Sequence, residues 1–195
     1  IFNQQVQGSL TNASFIEEAN ELFSRHKDKI VVLDSRHYNK SFKGIIRKVN
    51  DIEIMVLCGL EADPKMSVPM QDVIKYGSDV YNATGKPVFA TCGARGIIVI
   101  DGNGAKHIPG IQFTTKLDTV GAGDTVISAI TLCLAAGIDP VAAAEIANFA
   151  AGVTVQKLYT TGTAAPEEIV EVGTDPNFVY QADLAENMRE ASYYK

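Results

Sequence analysis

Tryptophan is absent from these 195 residues, and cysteine and histidine occur three times each. Cys58, Cys92 and Cys133 stand singly inside apolar runs, so they read as buried reduced thiols and exclude a disulfide framework or a zinc site. His26, His37 and His107 are too scattered to build a metal centre. Positive charge is the scarcer sign: 17 Lys and Arg face 23 Asp and Glu, a formal net charge of -6. Nucleic acid and an anionic membrane are therefore not expected partners. No run of about 18 apolar residues is present, and no charged-then-apolar leader pattern opens the sequence, so a cytoplasmic location is expected. No Gly-Lys-Ser/Thr closes a glycine loop and no G-x-S-x-G occurs. These gaps exclude a P-loop enzyme and a nucleophile-elbow hydrolase. Repeats and low-complexity tracts are missing too.

What is present suits a sizeable core, since 46% of residues are hydrophobic, an amount for one domain or a large part of one. Helical spacing of Phe15, Ile16, Ala19, Leu22 and Phe23 predicts a helix over Asn12 to His26. Ile30 to Leu33 reads as a buried strand that delivers Asp34, Ser35 and Arg36 at its end, where open α/β sheets gather ligand groups. A strand over Gly44 to Val49 precedes a helix over Asp51 to Leu60, and a helix over Met66 to Thr84 precedes a strand over Val88 to Cys92. Ile97 to Asp101 and Ala105 to Ile108 flank Asn103-Gly104, a hairpin signal. Helices are expected over Thr125 to Ala136, Val141 to about Lys157 and Pro166 to Val172, with Gly137 as a stop, Asp139 as a cap and Pro140 as a first helical residue. Strands alternating with helices predict an α/β protein with a mostly parallel sheet.

One stretch organises the rest: Asp118-Thr119-Val120-Gly121-Ala122-Gly123-Asp124, ahead of an apolar helical run. Its glycines permit a turn with positive φ, and a helix start there offers unpaired N–H groups at the positive end of the dipole. Such ends bind phosphate. A tight turn with a helix-favouring Asp explains the same residues without a ligand. Asn50 and Glu53 likewise form a capping-box pattern. A dinucleotide fingerprint is rejected, because its third glycine would fall on Val126 and the preceding Thr114 to Asp118 is too polar for a buried strand.

The whole stretch meets every fixed position of D-T-x-G-A-G-D and resembles the signature of the ribokinase/PfkB family of sugar kinases. The resemblance implies that the amides of Gly121, Ala122 and Gly123 form an anion hole and that Asp124 is the catalytic base. It implies further that Asp118 and Thr119 adjoin the nucleotide. Asn50-Asp51-Ile52-Glu53 matches the family's N-x-x-E, where Asn50 and Glu53 organise Mg²⁺ and the phosphates of ATP. Thr91-Cys92-Gly93-Ala94-Arg95-Gly96 is similar to a T-x-G-x-x-G nucleotide loop, giving Thr91, Gly93 and Gly96 that role. Asn148 is implied to border the adenine, with a core Asn bonded to backbone as the alternative.

The implied fold is a ribokinase-like three-layer α/β/α sandwich with a mostly parallel central sheet, its N-terminal part and β-lid absent. Residues 1–172 are expected to be the C-terminal part of the kinase domain and 173–195 a tail ending in a surface helix, Ala182 to Tyr194. Without Met at its start, the chain is expected to be a piece of a longer kinase rather than a remnant, binding nucleotide with little turnover alone. A homodimer through the missing lid is a further implication. Within the family, the stretch Asp118 to Ile127, with Ala150 to Leu158 and Gly162-Thr163, looks most like bacterial heptose-7-phosphate kinases. Fructose, ribose and nucleoside acceptors stay open, as does a non-catalytic nucleotide binder.

Overall fold

The computed structural model describes residues 1–8, 10–63 and 66–174. They form two compact units, residues 1–90 with 98–106, and residues 91–97 with those from 107 onward. Six strands make one sheet in the order β1-β2-β3-β4-β5-β6. They are β1 (Phe2–Gln4), β2 (Val32–Ser35), β3 (Ile46–Asn50), β4 (Val88–Thr91), β5 (Ile97–Asp101) and β6 (Gly104–Ile108). β1 runs parallel to β2, and β2 to β3. The two residues between β5 and β6 can join only antiparallel neighbours, and the Asn103 N–H closes that turn on Asp101 Oδ1 at 2.7 Å. The expected hairpin is present.

Within the first unit, every residue of β2 is buried, as a parallel strand covered on both faces should be. Strand β1 was not foreseen, because three residues carry too short a pattern to read. What holds it is distant in sequence: Phe2 packs on Phe42 at a centroid distance of 4.9 Å and on Phe15 at 5.6 Å. Gln4 adds polar anchorage, its Oε1 accepting from Ser35 Oγ at 2.9 Å and from the His37 N–H at 3.1 Å. The core here gathers Ala19, Leu33, Phe42 and Ile45.

Helix α1 (Ala13–Arg25) starts at its Asn12 cap, whose Oδ1 accepts from the Phe15 N–H at 2.9 Å. Helix α2 (Asp51–Leu57) stops before the expected Leu60, because the Leu60 N–H turns back to Met55 O at 3.0 Å in a Schellman-type ending. Helix α3 (Met70–Thr84) begins later than the expected Met66, since Pro69 lacks an N–H and steers Val68 away from helical backbone.

The register that pairs Leu33 with Arg47 sets Asp34 beside Lys48 one residue on. Their side chains are 5% and 8% exposed, and Lys48 Nζ lies 2.8 Å from Asp34 Oδ2. Arg47 points to the other face and donates to Asn39 Oδ1 at 2.9 Å and to Phe42 O at 2.5 Å, fastening the loop between β2 and β3.

In the second unit, α4 (Ala122–Ala135) packs on α5 (Pro140–Val155), and α5 packs on α6 (Pro166–Thr174). Buried Ala143, Ala144, Ala147 and Ala150 keep the α5 surface thin. Asp139 caps α5 as expected, accepting from the Val141 and Ala142 N–H groups at 3.0 and 3.1 Å. Ile111, Phe113, Val153 and Val172 form this unit's core. Helix α4 begins at Ala122, three residues before the expected Thr125, because the Thr119–Ala122 turn already starts the helical ladder. The expected helix over Ala182 to Tyr194 lies outside the described residues.

Among the described residues no helix is long and apolar enough to cross a membrane. Cys92 and Cys133 are buried, Cys58 is half-buried, and none forms a disulfide.

Breaking a buried ion pair from one side strands the other charge and costs about 3–5 kcal/mol. Lys48→Met should therefore lower stability by that amount in urea unfolding, while the double variant Asp34→Leu/Lys48→Met should return close to wild type.

Candidate active site

In the first unit the chain leaves β3 at Asn50, whose extended backbone (φ -92°, ψ 174°) ends the strand and opens α2. Asn50 Oδ1 accepts from the Glu53 N–H at 2.7 Å, and Glu53 Oε2 accepts from the Asn50 N–H at 2.8 Å. The expected capping box is formed in full. Asp51 is buried, its Oδ1 accepting from the Ile52 N–H at 3.1 Å, and Ile52 is half-buried. Burial pushes the Glu53 carboxyl above the usual carboxylate range, against the pull of the Asn50 N–H and the Lys48 ammonium.

A half-buried carboxyl raised by desolvation is one that a bound cation would relieve. Mg²⁺ retains most of its waters and asks for one or two carboxylates. Glu53 fits that demand, because the box engages only Oε2, and Asn50 adjoins it. Among the described residues no group of three or more His, Cys, Asp or Glu gathers for a metal, so water would supply the remaining ligands.

In the second unit the loop after β4 is a tight turn. The Cys92 N–H donates to Gly96 O at 2.8 Å, and the Gly96 N–H donates to Gly93 O at 3.0 Å. Gly96 has φ +96°, and a Cβ there would lie 2.0 Å from Ile108 O and 2.5 Å from Gly110 N. The packing of main chain on main chain thus explains this glycine. Thr91 is half-buried at the end of β4, and Gly93 opens the turn.

The loop before α4 is tied at both ends by Asp118. Its N–H donates to Val155 O at 2.8 Å, its Oδ1 accepts from the Val120 N–H at 3.0 Å and its Oδ2 from the Tyr159 N–H at 3.1 Å. Thr119 O accepts from the Ala122 N–H at 3.2 Å. Gly121 then sits at φ +82°, ψ -6°, the left-handed region that glycine adopts without penalty, and no side chain caps the helix behind it. Among the described residues the N–H groups of Gly121 and Gly123 meet no acceptor. They lie where the α4 dipole is positive. Asp124, in the first turn, is exposed. Thr125 Oγ1 bonds Gly121 O and Thr154 Oγ1, both at 3.1 Å, linking α4 to α5.

Asn148 is buried on α5 and donates to Pro109 O at 2.8 Å, the backbone-bonded arrangement weighed above. Tyr159 carries φ +60°, a cost of about 1–2 kcal/mol for a residue with a Cβ. Asp118 and Lys116, whose Nζ donates to the Tyr159 hydroxyl at 2.9 Å, hold it there. Lys157 holds the Glu168 carboxyl below its usual range from 2.8 Å, and the same carboxylate accepts from the Ala165 N–H.

The structure thus brings Asp118, Thr119 and Gly121 to Asp124 together on one loop and helix start, and Asn50 to Glu53 on another. Lys48 escaped the sequence reading. The available signal was the pair Arg47-Lys48 inside an otherwise apolar strand.

A family model described as pfkB family carbohydrate kinase matches residues 10–168. The chain is 55% identical over 71 residues to bifunctional protein HldE of Citrifermentans bemidjiense, covering 36% of this chain and 14% of that protein. It is 46% identical over 80 residues to bifunctional protein HldE of Mesorhizobium japonicum, covering 41% of this chain and 16% of that protein. In fold it is similar to ribokinase from Thermotoga maritima, with TM-score 0.67, 22% identity, and coverage of 82% of this chain and 54% of that one. A putative phosphofructokinase from Staphylococcus aureus gives TM-score 0.69 at 19% identity, covering 86% of this chain and 53% of that one. These likenesses show a ribokinase-like α/β fold. The chain spans about half the length of those two structures, and its matches take in a far smaller share of the two curated relatives.

Because a methyl on Gly96 would collide with main chain, Gly96→Ala should cost roughly 3 kcal/mol or more. A urea midpoint unchanged from wild type would contradict the close approach of Ile108 to Gly110.

Proposed function

This chain belongs to the pfkB family of carbohydrate kinases, and on that footing we propose that it carries the phosphoryl-transfer side of an ATP-dependent kinase. The acceptor is a hydroxyl of a sugar or sugar phosphate, with heptose 7-phosphate favoured by the resemblance of Asp118 to Ile127 to heptose-phosphate kinases. The observation that carries this reading is the uncapped start of α4, where the amides of Gly121 and Gly123 and the Asp124 carboxylate share one turn.

In this mechanism Asp124 accepts the proton of the attacking hydroxyl. The amides of Gly121 and Gly123 donate to the oxygens of the phosphoryl group in transfer, where electrostatic stabilisation supplies most of the rate, while the Ala122 N–H between them stays on Thr119 O. Asn50 and Glu53 would hold a Mg²⁺ ion, which would supply charge neutralisation on the phosphates. Thr91, Gly93, Gly96, Asp118, Thr119 and Asn148 bound the nucleotide. For Asp118 and Asn148 that role is indirect, since their hydrogen bonds to backbone set the shape of the loops. Residues 1–172 then act as the nucleotide side of the kinase domain, and dimerisation through a lid outside this chain belongs to the same proposal.

Mixing the full-length protein with ATP, Mg²⁺ and a panel of sugars and sugar phosphates should release ADP with at least one of them. Release with none would favour a nucleotide binder. Asp124→Asn should reduce kcat by about 10²–10⁴-fold with ATP affinity largely kept. Turnover at the wild-type rate would remove Asp124 as the base.

A further inference from the structure

We propose that Arg36 grips the phosphate of the acceptor, so that the enzyme selects a phosphorylated sugar over a neutral one. The inference rests on the kinase reading above and deepens it.

Arg36 is the first residue beyond β2. Its N–H donates to Gln4 O at 3.1 Å, which extends the β1–β2 ladder and fixes its backbone to the sheet. The β2–β3 register pairs Val32 with Ile46 and Leu33 with Arg47. Counted forward in that register, Arg36 just beyond β2 corresponds to Asn50 at the end of β3. Arg36 and the Asn50–Glu53 box therefore share the C-terminal rim of the sheet, where open α/β folds bind ligands.

The electrostatics single out Arg36 on this rim. From Arg36 to Asn50 the chain holds five Lys and Arg residues and no acid, within a chain of net charge -6. Arg47 is consumed by loop carbonyls and Lys48 by Asp34, and the exposed Lys40 and Lys43 lie in the connection ahead of β3 rather than at the end of a strand. Arg36 is exposed, and among the described residues no carboxylate forms an ion pair with it. Its charge does reach Glu53, but as the weakest of the influences on that carboxyl. A planar guanidinium with two parallel donors suits the tetrahedral oxygens of a phosphate.

Two phosphates compete for it, that of the nucleotide and that of the acceptor. β2 flanks β3 on the side away from β4, and the segment following β4 carries the nucleotide-loop motif. Arg36 therefore leaves the sheet on the side of Asn50 and Glu53 opposite to β4, which favours the acceptor.

The test measures kcat and KM of the full-length enzyme for a sugar phosphate, for the same sugar unphosphorylated, and for ATP, in wild type, Arg36→Ala and Arg36→Lys. For Arg36→Ala the KM for the sugar phosphate should rise about 10–100-fold, the loss of a charge-assisted bidentate contact. The KM values for neutral sugar and for ATP should stay within about twofold, and Arg36→Lys should recover part of the loss. An equal rise for the neutral sugar, or a rise confined to ATP, overturns the assignment. A wild type that turns over sugar phosphates beside an Arg36→Ala variant of unchanged KM defeats the Arg36 role alone. A wild type that phosphorylates no sugar defeats the kinase reading and this inference together.

Discussion

One carboxylate frames the loop from which the proposed chemistry starts. Asp118 receives the N–H groups of Val120 and Tyr159 on its two oxygens and gives its own N–H to Val155 O, so residues before α4 are tied to the end of α5. Given that frame, Gly121 has to turn through the left-handed region, and the helix behind it begins without a side-chain cap. The two amides left without a protein acceptor there are the ones the proposed function gives to a phosphate. Tyr159, itself at positive φ, shows that the frame is strong enough to hold a strained residue in place. The first unit solves the equivalent problem with a buried ion pair, Asp34 with Lys48, beneath the rim that carries Arg36, Asn50 and Glu53.

Features written in a few consecutive residues were legible from sequence. The Asn103-Gly104 hairpin, the Asp139 cap and the Asn50–Glu53 box depend on side chains bonding backbone two or three residues away. Features set by distant partners were not. Strand β1 needs Phe2 to meet Phe42, and the tightness of Gly96 needs Ile108 to approach it. The Lys48 ion pair required the β2–β3 register, which no local pattern supplies. Helix ends moved for physical reasons that composition blurs: Pro69 delays α3, and the turn at Thr119 to Ala122 advances α4.

Under the proposed function several candidate residues would do two jobs with different atoms, which is why sequence alone could not separate fold from function. The capping box uses Glu53 Oε2 and Asn50 Oδ1 to start α2, and the proposed function gives the other carboxyl oxygen to a cation. Asn148 spends an amide hydrogen on Pro109 O and in doing so fixes where α5 meets the segment after β6. The proposed kinase function would give these arrangements a common purpose beyond the backbone bonds they make.

The central claim is that the bare amides opening α4 hold the terminal phosphate of the nucleotide. Backbone ¹H–¹⁵N resonances of Gly121 and Gly123 in the full-length protein, followed during titration with a non-hydrolysable ATP analogue and Mg²⁺, test it directly. Saturable downfield shifts of both amide protons are expected with the ATP analogue, much reduced when ADP replaces it. Resonances that stay in place while those of Thr91 to Gly96 move would contradict it.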